Sequence, residues 1–421
     1  MCQNSQLVKE MYDVNSLGEL EELYKCCING LSDIVKSKKV LLIGTPSRSK
    51  MMIEAFMNAG AYDVVGIEAP SYYYGDISEY NYRLNMELKH PSQLLMDRLN
   101  IEDPDKQSII YAGSTTDVQR IMCRRVIGSR LYEWSILERK QEQTRLLSNQ
   151  VGYEPLYVNI ESLSQNEFYE LCMELSPCVV SGELKDGIEM GSSQVFIVNE
   201  ITQRYLSDIY IVLKQKCSGF RIARLTKGLP ITVYGFCDAN ANICCYPPVV
   251  ALVGYRSSDS RIVAPGIIAV KKLNLNLQLI FKSVKEIVNK AIKEYGYCGA
   301  FGVDGVYIED NYIIHDINPR ICAGFSFLSK YYKGKIPQNI IDILLREHSQ
   351  MSREIMILLN KVISTTKYDN EVVVWNDETL SNELTSENRK HSLYNNHRLW
   401  KLVFGNTAPL SDVFYQKHRL L

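Results

Sequence analysis

Gly299-Ala300-Phe301-Gly302-Val303-Asp304-Gly305-Val306, then Ile314-His315-Asp316-Ile317-Asn318-Pro319-Arg320 beyond a turn at Glu309-Asp310-Asn311, is the stretch whose reading sets the fold. Val303, Val306, Ile308, Ile313 and Ile317 supply apolar strand positions, which predicts two short strands and a hairpin. Asp316 and Asn318 alternate with apolar neighbours, so on a strand they project from one face. Asp304 precedes Asp316 by twelve residues, a separation that a hairpin can close. Two carboxylates and an amide oxygen on adjacent strands form a hard-oxygen cluster suited to Mg²⁺ bridging nucleotide phosphates. Arg320, just beyond, offers a planar fork of donors to an anion. An isolated Asp-x-Asn-Pro would read as a strand exit and turn; the residues upstream reverse that preference.

Bulk properties agree with a soluble enzyme. The chain has 421 residues, enough for two to four structural units with an ample core. A net charge of −1 gives no polyelectrolyte signal for nucleic acid or membrane. The N-terminus, Met1-Cys2-Gln3-Asn4-Ser5, lacks the regions of a signal peptide, and no apolar run is long enough to span a bilayer. Cytoplasmic residence is the expectation. The twelve cysteines are scattered without C-x-x-C spacing, so reduced, mostly buried thiols are expected and zinc is not.

Residues 1–37 read as helical, with Leu17, Leu20, Leu23 and Tyr24 at helical spacing. Lys39–Gly44 is a buried strand, a helix runs from about Lys50 to Ala59, and Asp63–Glu68 is a second strand. This order predicts a small α/β unit of Rossmann type, lacking both G-x-G-x-x-G and a P-loop. Trp134, Leu137, Leu146 and Leu147 predict one helix, stopped at Gly152-Tyr153-Glu154-Pro155 and bearing Lys140, Thr144 and Arg145. Pro177–Lys185 contains a Val-Val strand, and Lys185–Ser193 reads as a glycine- and serine-rich flap able to curl around phosphate. Ile209–Gln215 reads as a strand, Leu229–Asp238 and Ile243–Tyr246 as a hairpin, and Gln278–Tyr295 as a helix.

The whole pattern resembles the ATP-grasp ligases, whose last metal-binding strand reads acidic-x-Asn-Pro-Arg with an acidic residue about a dozen positions earlier. The resemblance covers residues 128–325 by motif order and 38–127 by architecture. It implies an α/β (α+β ATP-grasp) fold divided as 1–127, helical N-terminus and Rossmann-like front domain; 128–205, small lobe with flap; 206–330, catalytic lobe with the metal hairpin; and 331–421, an appended region. It also implies Asp304, Asp316 and Asn318 as magnesium ligands, Arg320 as a phosphate or acyl-phosphate contact, and Lys140 as a phosphate contact. Lys185 becomes the candidate for a flap lysine, since Ser181 stands where the family has one. Lys214 and Gln215, on the hinge strand that the resemblance implies, become neighbours of adenine, and Lys227 and Arg261 lesser candidates for phosphate. The basic, aromatic tail (Arg389, Lys390, Arg398, Trp400, Lys401, Phe414, Tyr415, Lys417, Arg419) reads as a solvated face, with reception of an acidic carrier protein as the alternative.

The chemistry implied is ADP-forming activation of a carboxylate, with ATP and Mg²⁺ as cofactors. A carboxylate becomes an acyl phosphate, and an amine or thiol then displaces phosphate. The layout is similar to ATP-grasp ligases of peptide natural-product pathways, including the pheganomycin type and the butirosin-pathway type that loads L-glutamate onto an acyl-carrier protein. That likeness implies an amino acid donor, a carrier-protein thiol or amine acceptor, and a place in antibiotic biosynthesis. An ATP-grasp kinase and a non-catalytic ATP-binding module are the alternatives, and a dinucleotide oxidoreductase using residues 38–70 is the weakest.

Overall fold

Apolar periodicity lays down the framework. The computed structural model describes residues 14–44, 46, 49–68, 77–185, 194–198, 202–255, 262–269, 275–332, 336–366, 368 and 371–374. The basic tail, Arg261 and flap residues 186–193 lie outside these.

The front unit contains α1 (Val14–Val35), β1 (Lys39–Ile43), α2 (Lys50–Asn58), β2 (Asp63–Ile67), α3 (Ile77–Lys89), α4 (Gln93–Glu102), β3 (Ile109–Tyr111), β4 (Arg120–Ile121) and β5 (Arg124–Val126). Its sheet runs β2-β1-β3-β5-β4, with β2, β1, β3 and β5 parallel. The all-apolar run Val40-Leu41-Leu42-Ile43 is buried, as a parallel strand covered on both faces must be. Ser49 accepts from Met52 N–H and so starts α2.

Two short helices follow, α5 (Tyr132–Ile136) and α6 (Lys140–Leu147), where the sequence predicts one. The break falls at Leu137-Glu138-Arg139, and Glu138 is held there by two guanidiniums, Arg130 and Arg320. Next come β6 (Leu156–Asn159), α7 (Gln165–Leu175), β7 (Cys178–Leu184), β8 (Val195–Val198), α8 (Gln203–Lys216) and β9 (Cys217–Arg224). They build an antiparallel sheet in the order β6-β9-β7-β8. Ser164 and Glu167 close a reciprocal capping box on α7.

The predicted strand over 209–215 is therefore helix. Leu206, Ile209 and Leu213 are buried at helical spacing against Val180, Phe220 and Ile222 of the small sheet, and this packing overrides the β-branched run. The chain crosses from the small sheet to the large one at residues 225–228, well beyond the expected boundary at 205.

The large sheet contains β10 (Leu229–Cys237), β11 (Ile243–Cys245), β12 (Val249–Tyr255), β13 (Ile262–Ala269), β14 (Gly299–Ile308), β15 (Asn311–Asn318) and β16 (Glu371–Val374). Its order is β15-β14-β10-β12-β13-β16, with β11 also paired to β10. Helix α9 (Leu277–Tyr295) buries Ile280, Val284, Ile287, Val288, Ala291 and Ile292, starts on the Asn276 cap and ends at left-handed Gly296. After β15 come α10 (Gly324–Tyr331), α11 (Gln338–Arg346) and α12 (Ser352–Ser364).

The expectation of an appended region from residue 331 is corrected as far as residue 374. Ile343, Leu344, Ile355 and Leu359 share one core with Leu23, Leu31, Phe236 and Tyr246, and β16 pairs with β13. On α11, Asp342 accepts from Ala300 N–H at 2.7 Å, which fixes the start of β14. Gly299 there has φ +121°, and a Cβ would stand 2.6 Å from Asp342 Oδ1, so only glycine fits. The described cysteines are free and mostly buried. Among the described residues no helix is long and apolar enough to cross a membrane.

Candidate active site

The hairpin forms around a two-residue turn in which Glu309 and Asp310 both adopt positive φ, 46° and 56°, the twist that closes tight hairpins. Asp304 lies directly across from Asp316, and Gly302 from Asn318. Between Ile314 and Asp316 the strand carries one unopposed residue, His315, a β-bulge. The bulge turns Asp316 and Asn318 to the face of Asp304 while Ile314 and Ile317 stay in the core. From the other side of β14, Thr232 of β10 is paired with Asp304, and its hydroxyl donates to Asp304 Oδ1 at 2.5 Å.

Asn318 Nδ2 donates to Asp304 Oδ2 at 2.9 Å and to Asp316 Oδ2 at 3.4 Å. Burial, followed by the like charge of Asp316, pushes the Asp304 carboxyl up to about 6, against the pull of Thr232, Arg320 and Lys140. Two carboxylates crowded this way invite a cation. Among the described residues no three His, Cys, Asp or Glu side chains cluster as a metal cage. The donor set of two carboxylates and an amide fits an ion that keeps water or phosphate oxygens in its remaining positions, as Mg²⁺ does.

Lys140, in the first turn of α6, donates to Asp316 Oδ1 at 2.9 Å, with 7% of its side chain exposed. Helix α6 and the turn that follows it are fastened along the outer edge of β15 by amides acting as backbone partners. Gln150 donates to Ile314 O at 2.8 Å and accepts from Ile314 N at 2.7 Å, and Gln143 donates to Ile317 O at 2.9 Å. The sequence thus brings together Lys140, Asp304, Asp316, Asn318 and Arg320.

Arg320 Nε donates to Glu138 Oε1 at 2.7 Å and Nη2 to Asn318 Oδ1 at 3.2 Å. Arg130 Nη1 binds the other Glu138 oxygen. Burial opposes ionisation of Glu138, but the two arginines prevail and hold its carboxyl down at about 2. Arg346 ties this region to the front unit, with Nη1 donating to Ser114 O at 2.8 Å and to Gly128 O at 3.1 Å.

Other expectations are placed elsewhere. Lys214 and Gln215 lie on α8, whose apolar side covers the face of the small sheet opposite Ser181 and Arg221. Lys214 Nζ is spent on Ile160 O and Glu161 O at 2.9 and 3.0 Å, so the hinge-strand role is corrected for both residues. Lys185 and Lys227 are exposed, the first just past β7 and the second on the crossing segment. The sequence reading did not single out Arg130, Glu138, Gln143 and Arg221, although Glu138 stands in the Leu137-Glu138-Arg139-Lys140 stretch it used for Lys140; their shared signal is charge or amide amid buried neighbours.

No family model matches this chain, and no curated protein matches its sequence. Solved structures do. Biotin carboxylase from Campylobacter jejuni, solved as a beta-gamma-ATP complex, is similar over 77% of this chain and 69% of its own, with a TM-score of 0.50 and 11% identity. The chain has the ATP-grasp fold. D-alanine–D-alanine ligase from Bacillus anthracis, complexed with ATP, covers 76% of this chain and 99% of its own at a TM-score of 0.45 and 14% identity. N5-carboxyaminoimidazole synthetase from Staphylococcus aureus, complexed with ADP, covers 83% and 96% at a TM-score of 0.45 and 12% identity. Within the ATP-grasp fold of this chain, the Asp304–Asp316 face lies on the large sheet, and Lys140 reaches it from α6, which packs against the small one.

Proposed function

We propose that the chain is an ATP-dependent, ADP-forming carboxylate ligase. The observation that carries this reading is the convergence of Asp304, Asp316 and Asn318 on one face with Lys140 Nζ 2.9 Å from Asp316, in a chain of ATP-grasp fold. Asp304, Asp316 and, after its amide turns, Asn318 Oδ1 would hold Mg²⁺. The ion would supply charge neutralisation of the phosphates and hold their oxygens in line.

The chain's own residues do the rest. Lys140 leaves Asp316 for the β- and γ-phosphates and spreads their charge. When the Asn318 amide turns, Arg320 loses its partner Oδ1 and gains a free donor for the substrate carboxylate. The carboxylate oxygen attacks the γ-phosphorus, ADP leaves, and an acyl phosphate forms. An amine or thiol then attacks the acyl carbon and expels phosphate. The flap over 185–193 would exclude water from that intermediate, with Lys185 at its root. Lys227, exposed on the crossing segment at 225–228, stays a lesser candidate for phosphate.

The donor is an amino acid carboxylate, L-glutamate being the first candidate, and the acceptor an amine or a carrier-protein thiol in peptide natural-product assembly. Arg130 and Arg320, held side by side on Glu138, favour an anionic donor over the hydroxyl of a kinase substrate. The test is incubation with ATP, Mg²⁺ and each amino acid, with and without a pantetheine thiol or carrier protein, following ADP and phosphate. Amino-acid-dependent ADP and phosphate that rise with acceptor support the ligase. A phosphorylated product without phosphate release would mean a kinase, and AMP with pyrophosphate would sink the reading.

A further inference from the structure

Arg221, in the middle of β9, occupies the inner face of the small sheet. It is directly cross-strand from Ser181 of β7 on one side and Tyr157 of β6 on the other, so all three side chains share that face. Only 7% of its side chain is exposed. Its Nη1 donates to Gln143 Oε1 at 3.2 Å. The orientation of that amide is fixed, because Gln143 Nε2 already serves Leu137 O at 3.1 Å and Ile317 O at 2.9 Å. Oε1 must therefore face the guanidinium.

A neutral amide does not balance a buried charge. The carboxylate paired with Arg221 is Asp316, 3.8 Å from Nη2, and the oxygen concerned is already held by Lys140 at 2.9 Å. One carboxylate is thus shared by two buried cations from different elements. A guanidinium so placed is under-compensated, and its planar fork matches two phosphate oxygens at once.

We propose that Arg221 is a phosphate-binding residue of the nucleotide site, a cation that faces Lys140 and turns from Asp316 to the polyphosphate chain when ATP enters. The assignment rests on the reading of this cleft as an ATP site. It also accounts for Ser181: with Arg221 beside it on the same face, a second long cation at 181 would meet like charge at close range. The ligand class is a nucleoside di- or triphosphate, and the nucleoside alone should not engage Arg221.

The experiment measures binding of MgATP, MgADP and adenosine by calorimetry, with melting temperature alongside, for the parent and three variants. Arg221→Gln should weaken both nucleotides by about 10- to 100-fold, the range for a lost charged hydrogen bond, and leave adenosine within about twofold. Arg221→Lys should fall between. Adding Ser181→Lys to Arg221→Gln should recover most of the lost affinity, since the new ammonium starts from the neighbouring strand on the same face; a purely structural arginine would not be rescued this way. If the parent binds ATP and Arg221→Gln binds it equally well, the assignment of Arg221 is overturned. Equal weakening of adenosine and nucleotides would overturn it too, as the mark of a structural residue. A parent that binds no ATP would overturn the ATP site itself.

Discussion

Lys140 Nζ stands 2.9 Å from Asp316 Oδ1, so the residue proposed for phosphate is bonded to the residue proposed for metal. Each partner therefore holds the other in reserve. Lys140→Met should produce opposite effects on two ligands. Mn²⁺ titrated alone should bind more tightly, because Asp316 loses a competing cation, while MgATP should bind at least about tenfold more weakly. Electron spin resonance of free Mn²⁺ and calorimetry with ATP read the two separately. Parallel changes in both would refute the exchange.

Asp316→Asn and Asn318→Ala remove a proposed ligand at a half-buried position. Turnover should fall by at least about a thousandfold in both; the melting temperature should move by only a few degrees in Asn318→Ala and fall further in Asp316→Asn, which leaves Lys140 and Arg221 without their shared carboxylate. Near-normal turnover in either variant would remove that residue from the metal site.

Asp304 carries a raised pKa of about 6, caused first by burial and then by Asp316. The folded protein therefore binds more protons than the unfolded chain between pH 3.8 and 6, and stability declines as pH rises through that window. Asp304→Asn should then raise the melting temperature of the metal-free protein at pH 7.5, by the equivalent of about 2–3 kcal/mol, while abolishing turnover. In the wild type, Mg²⁺ affinity should drop as pH falls below about 6, and saturating Mg²⁺ should move that limb to lower pH. A pH-independent Mg²⁺ affinity from 5 to 8 would contradict the placement of Asp304.

Glu138, held at about 2 by Arg130 and Arg320, shows the converse sign. Its contribution to stability is complete above the unfolded carboxyl value of about 4.3 and is lost as pH falls through about 2. Glu138→Gln strands one buried guanidinium, Arg130, and one part-buried, Arg320, and should cost about 3 kcal/mol in chemical denaturation at pH 7. Pairing it with Arg130→Gln should recover part of that loss; failure to do so would mean the two charges are not coupled.

The hairpin was legible in the sequence because both of its signals are local: alternation of Asp316 and Asn318 with isoleucines, and a turn at Glu309-Asp310-Asn311. The front α/β unit was legible for the same reason, through the run Val40–Ile43. Residues 209–215 misled because Ile209-Tyr210-Ile211-Val212 has strand composition, and the decisive contacts, Leu206, Ile209 and Leu213 on the small sheet, come from a core the sequence does not display. Arg221 lies in no motif, and Glu138, two residues before Lys140, carries no local sign of its role. Each matters through partners far along the chain: Arg221 with Gln143 and Asp316, Glu138 with Arg320. The C-terminal helices looked appended because nothing local reveals that Asp342 closes on Ala300.

The extra residue at His315 acts as a phase shift in the strand. With strict alternation, Ile314 would share the side of Asp316, and Ile317 would be opposite it. The bulge lets the polar Asp316 and Asn318 and the core anchors coexist on one short strand, because the parity of inside and outside changes once between them. Deleting His315 would leave a regular ladder with every face kept; drawing His315 into the ladder opposite Gly305 is what would act like a frameshift written in space rather than in codons, swapping the faces of every residue from Ile314 back to the turn. An alignment that closes this one-residue gap would place Asp316 correctly and Tyr312 to Ile314 on the wrong side.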